Sequence, residues 1–71
     1  MEAWEQRMVE EYRQTKDRYE KLHRMIVKYD AGTLDFTPKC PIGLLREQKS
    51  HMGQYLYTLE VRAEIEGINL N

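Results

Sequence analysis

The sequence holds one cysteine, two prolines, four glycines and one phenylalanine in 71 residues, and each shortage excludes something. A lone Cys40 cannot close an intrachain disulfide, so packing must hold the fold, and a reducing cytoplasm is the economical setting. No apolar run approaches the ~18 residues that cross a bilayer. The acidic start Met1-Glu2-Ala3-Trp4-Glu5 has no apolar signal-peptide core. The expectation is a soluble, unexported protein. There is no glycine-rich phosphate loop and no G-x-S-x-G element. His23, Cys40 and His51 are the only good soft-metal ligands, and they lack paired spacing such as C-x-x-C, so no metal is expected. Cys40 with a histidine lacks a third, orienting group and is followed by Pro41, so it reads as a small half-buried hydrophobe rather than a nucleophile. The carboxylates fall on solvent faces. These absences read as a protein that binds or builds, not an enzyme, with no cofactor.

Both prolines and one glycine sit in a single stretch, Ala31 to Pro41. On either side lie long segments with helical periodicity. The first helix is expected over residues 2–30, with no glycine or proline inside it. Its seam is Trp4, Met8, Tyr12, Thr15, Tyr19, Leu22, Ile26 and Tyr29, a heptad pattern from Met8 onward. Val9, Met25 and Val27 widen it. Asp17 with Lys21 and Glu20 with Arg24 are i,i+4 pairs in the favourable order. Gly32 suits the left-handed residue that ends a helix. Within the connector, Leu34 and Phe36 alternate with polar residues and are expected to tuck inward, capping the core.

The second helix is expected over residues 42–66, with Ile42, Leu45, Lys49, Met52, Leu56, Leu59, Ala63 and Glu66 as its stripe. Leu44, Tyr55, Val61 and Ile65 lie off that stripe. Gly53 invites the close approach of another helix. Gly67 stops the helix, Ile68 can fold back as in a Schellman cap, and Asn69-Leu70-Asn71 reads as a frayed tail. The fold class is therefore all-α: one domain over 1–71, an antiparallel, coiled-coil-like two-helix hairpin. Chains this short build a marginal core, so the hairpin is expected to form homo-oligomers through its seams.

The net charge is only −1, yet the hairpin would sort it. Residues 12–49, nearest the bend, carry nine Lys and Arg against five Asp and Glu, a net of +4. Residues 1–11 and 50–71 carry two against seven, a net of −5. Basic end against acidic end is a ready mode of assembly; two solvated faces screened by salt is the plain alternative. Tyr12, Tyr19 and Tyr29 read first as core and second as a ligand platform. Arg46, Lys49, His51, Tyr55 and Tyr57 form a candidate basic-aromatic patch, in which rings stack on bases and cations hold phosphates. Arg24 and Lys28 add to it from the basic bend.

The run Tyr29-Asp30-Ala31-Gly32-Thr33-Leu34-Asp35-Phe36, then Cys40-Pro41-Ile42, Leu44-Leu45, Glu47-Gln48, Tyr55-Leu56 and Arg62-Ala63-Glu64-Ile65-Glu66-Gly67, resembles small uncharacterised helical-hairpin proteins of tailed bacteriophages and prophages. Some of those come from crAss-like phages. A fainter likeness, in Cys40-Pro41, Arg46-Glu47-Gln48 and Met52, is to the hairpin domain of phage anti-CBASS proteins, which sequester cyclic oligonucleotide immune signals. The spacing from Cys40-Pro41 to Arg46 is longer here than in that family. The resemblance implies a viral counter-defence protein in the cytoplasm of a bacterial host. It would sequester a cyclic nucleotide or block a host defence protein. The alternatives are a structural or adaptor oligomer with only protein partners, and a nucleic-acid-binding accessory protein.

Overall fold

Glu2 opens the first helix. Its backbone N–H donates to the Glu5 carboxylate at 3.2 Å, so a donor outside the helix ladder finds an acceptor in the first turn. The computed structural model describes residues 2–71. Among these it contains two helices and no strand: α1, Ala3–Ala31, and α2, Ile42–Glu66. They pack side by side as a rod of 44 × 18 × 17 Å.

Both helices end on glycine, at φ values that other residues resist. Gly32 has φ 76° and Gly67 has φ 69°. At the first end, Thr33 N–H reaches back to Lys28 O at 2.9 Å, and at the second Ile68 N–H reaches Ala63 O at 2.8 Å. Both bonds close the long loop of a Schellman cap. Ile68 is thereby driven into the core. Leu70 follows it and packs against the same cluster, so the expected frayed tail is instead pinned by two apolar anchors.

The core is lopsided. Met8, Val9, Tyr12, Leu56, Leu59, Ala63 and Ile68 form one buried cluster at the open end of the hairpin, with Tyr19 and Leu70 against it. Thr15 is also buried. Towards the bend only Ile26 is buried, while Leu22, Met25, Ile42, Leu45 and Met52 are half-buried. Of the expected seam, Trp4 and Tyr29 are each 42% exposed. Periodicity marks a face, but it does not say how far along that face a partner helix reaches. Phe36 is not tucked in as expected; it is 56% exposed, and only Leu34 of the connector pair is half-buried.

Polar ties join the helices at two levels. In the packed half, the Tyr12 hydroxyl donates to Glu60 Oε2 at 2.6 Å. At the bend, Arg46 forks onto Asp30, with Nη1 donating to Oδ2 at 3.1 Å and Nη2 pairing with Oδ1. The Lys21–Asp17 pair forms within α1 at 3.0 Å, and Arg62 pairs with Glu66 at 3.1 Å in the last turn of α2.

Candidate functional site

Where the core thins towards the bend, an open groove of about 710 Å³ lies along the line between the two helices. Pockets for small ligands run from about 300 to 1,000 Å³. One wall is α2, which contributes Arg46 and, three, four, seven, eight and eleven residues on, Lys49, Ser50, Gly53, Gln54 and Tyr57, with Thr58 at the lip. This spacing brings them to one side of a 3.6-residue helix. The opposite wall is α1, with Tyr19 and Ile26.

Gly53 determines how Tyr19 sits. A β-carbon at position 53 would stand 3.2 Å from Tyr19 Cε1 and 3.6 Å from its hydroxyl, so the absent side chain lets the ring lie against α2. The close approach anticipated at Gly53 is thus made by the other helix of the same hairpin. The ring is flanked by two nitrogenous side chains. Lys49 Nζ lies 5.9 Å from its centroid, within cation–π range. His23 stacks parallel to it, 6.4 Å away between centroids. The groove therefore holds an aromatic face beside a cation, with the hydroxyls of Ser50 and Thr58 and the Gln54 amide along its rim. Two of these are already oriented: Gln54 Nε2 donates to Ser50 Oγ at 3.3 Å, and Thr58 Oγ1 donates to the Gln54 carbonyl at 3.1 Å.

Arg46 stands at the bend end of the groove with its fork on Asp30. The bonds from Arg46, then the Arg46 and Lys49 charges, hold the Asp30 carboxyl below the usual carboxylate range. The same pairing raises Arg46 further. At the far end the Tyr12 hydroxyl is pushed up to about 12, first by its bond to Glu60, then by burial and the Glu60 and Glu20 charges.

The residues singled out from the sequence separate into three places. Arg46 and Lys49 share the groove with Tyr57. Arg24 and Lys28 line a different depression of about 390 Å³ on the other side of the bend, beside Lys21, Leu34 and Phe36. His51 and Tyr55 lie on the outer side of α2, exposed and away from the groove. The sequence reading passed over Ser50, Gln54 and Thr58, whose steps of four from one another and from Arg46 were a usable signal. Tyr19 was read chiefly as core, and it serves both core and groove.

A family model described as Sequestin matches residues 2–65. The chain belongs to the Sequestin family. The match takes in α1, the connector, α2 up to its last residue and every groove residue. No curated protein and no solved structure matches the chain. Among the described residues, no helix is long and apolar enough to cross a membrane.

Proposed function

We propose that this protein is a binding protein that holds a nucleotide signal, in the manner of a sponge, without turning it over. One observation carries the reading. The groove brings two cations, Arg46 and Lys49, to the same cleft as the Tyr19 and Tyr57 rings. A phosphodiester and a base need such a pairing: charge-assisted bonds to phosphate oxygens and a π-face for stacking, worth about 1–3 kcal/mol per base. The family name, which speaks of sequestration, fits the same reading. The ligand class is a cyclic oligonucleotide, whose several phosphates and bases are served by cations and rings placed close together. The setting is the cytoplasm of a bacterial host, and the role is a phage or prophage countermeasure to nucleotide-based immune signalling.

The test is calorimetry of the purified protein with cyclic di- and trinucleotides, beside the ultraviolet absorbance ratio that reports co-purified nucleotide. Wild type is expected to bind at least one of them. Arg46→Glu with Lys49→Glu is expected to abolish binding, with the helical circular-dichroism signal retained because both side chains reach solvent. No binding by wild type, or full binding by the double variant, would sink the reading.

A second reading, a protein-binding adaptor that blocks a host defence protein, draws on a different feature. Leu44, Tyr55, Val61 and Ile65 are all exposed on α2, outside the groove. It predicts a stable protein complex that the double charge reversal leaves intact.

A further inference from the structure

The outer side of α2 carries a second seam. Leu44, Gln48, His51, Tyr55, Thr58, Arg62 and Ile65 follow one another at alternating steps of four and three, and every one of them is exposed. That is heptad spacing on a face that α1 does not cover. Its two ends are its most apolar points, with Leu44 56% and Ile65 79% exposed. Three of the seven, Leu44, Tyr55 and Ile65, are large, apolar and exposed, and such side chains sharing one face outside the core mark a contact surface.

The charge along α2 says what fits there. On and beside the stripe itself, the bend end bears Glu47 and the open end bears Arg62. A parallel copy would set like charge against like. An antiparallel copy brings Glu47 of each chain near Arg62 of the other and lays Leu44 against the region of Ile65. The face is self-complementary about a midpoint near Gln54, which is the condition for a two-fold, isologous contact.

We infer that the outer face of α2 seats a second copy of this chain, packed antiparallel through the Leu44–Ile65 stripe. The seam runs beside the groove, because Thr58 belongs to both and Gln54, which also lines the groove, flanks the stripe. A copy centred near Gln54 places the partner's His51 and Tyr55 at that lip. Each groove gains a further wall from the other chain, with an imidazole and a third aromatic ring. This last contribution rests on the nucleotide reading of the groove; the pairing itself does not.

The pairing is tested by directed cross-linking of the full chain. Two proteins are made on a Cys40→Ser background, one with Leu44→Cys and one with Ile65→Cys, distinguished by tags of different mass. They are mixed and treated with a short bis-maleimide. Both sites are exposed, so the hairpin should tolerate the changes. The mixed Leu44→Cys/Ile65→Cys dimer is expected to dominate. Same-site dimers alone, or no cross-link together with a monomer mass by light scattering at high concentration, would overturn the inference. Ile65→Asp is expected to raise the dimer dissociation constant about tenfold or more, a change of ~1.4 kcal/mol, with helical content unchanged. Glu47→Arg should weaken pairing and Arg62→Glu in the same chain should restore it; failure of that rescue counts against the antiparallel register. Titration of wild type and of His51→Ala/Tyr55→Ala with a cyclic dinucleotide separates the two claims. Weaker binding by an intact dimeric variant supports the shared wall, and unchanged binding removes it. No binding by wild type defeats the nucleotide reading and leaves the cross-linking result standing.

Discussion

The two halves of the hairpin solve opposite problems with the same two helices. At the open end α1 and α2 close over a buried cluster that the returning Ile68 and Leu70 complete. Towards the bend the buried cluster gives out, and an open groove lies along the line between them. The packed half is acidic and the bend half is basic. Apolar burial is what stabilises a chain of this size, so one half provides stability and the other is left free to bind. A protein of 71 residues has little core to spare, and here it is concentrated at one end rather than spread thinly along both.

The comparison breaks most visibly if the packed half is cut. Leu59 is among the most buried side chains of the cluster. Leu59→Ala removes three carbons from it and leaves a void, for which about 2–5 kcal/mol is the usual cost. That is most of the stability such a core supplies. The expected result is a largely unfolded chain at 37 °C, or one folded only at high concentration, where pairing with a second copy adds burial. A cooperative melt within a few degrees of wild type would show that the open-end cluster is not the seat of stability.

A smaller change sharpens it. Tyr12→Phe deletes the hydroxyl that bonds Glu60 and keeps the ring. Loss of one bond to an exposed carboxylate should cost about 1 kcal/mol in a urea titration. The alkaline limb is more telling. The bond to Glu60 and burial push the folded hydroxyl up from 10 to about 12, so folding favours its protonated form. That contribution is whole below pH 10 and is lost as the pH rises towards 12. Wild type should lose stability steeply over this window, and Tyr12→Phe should lose less. Equal slopes would mean that the bond does not persist in solution.

What the sequence disclosed, and what it hid, follows the same division. The helices, their glycine stops and the Schellman return at Gly67-Ile68 were legible, because each is set by residues within a turn of one another. The packed cluster was legible where the seam and the stripe are opposite each other, at Met8, Tyr12, Leu56 and Leu59. Phe36 and Leu70 were misjudged in opposite directions, since both depend on where a short non-helical segment finds cover. The groove was half visible. Arg46, Lys49 and Tyr57 declare their chemistry by type, but Ser50, Gln54 and Thr58 are ordinary surface residues until the register of α1 against α2 is known. Gly53 was read as a point of close approach, yet nothing local names Tyr19 as its neighbour. His51 and Tyr55 share the right composition and lie on the wrong side of their own helix for the groove of their own chain.

The last way to probe the contrast is the mildest for the fold and the most informative for the site. Two polar ties join the helices, one in each half. Tyr12–Glu60 lies part-buried beside the cluster; Asp30–Arg46 lies exposed at the bend. An exposed ion pair adds little to stability, because water solvates both partners nearly as well. Asp30→Asn should therefore leave the thermal midpoint at neutral pH unchanged. The depressed carboxyl of Asp30 favours the folded state above the usual carboxylate range and stops doing so as the pH falls through its lowered value. The variant should accordingly lack that small acid-side loss. Its effect on binding is expected to be larger. The Asp30 carboxylate occupies the Arg46 fork as a phosphate would, since both present two oxygens that accept the guanidinium's paired N–H groups. A nucleotide phosphate must displace it, so Asp30→Asn should tighten cyclic-dinucleotide binding in calorimetry while the melt stays put. Weaker binding would mean that Asp30 aims Arg46 into the groove rather than competing for it, and the bend half would then be a preset site instead of one that opens to its ligand.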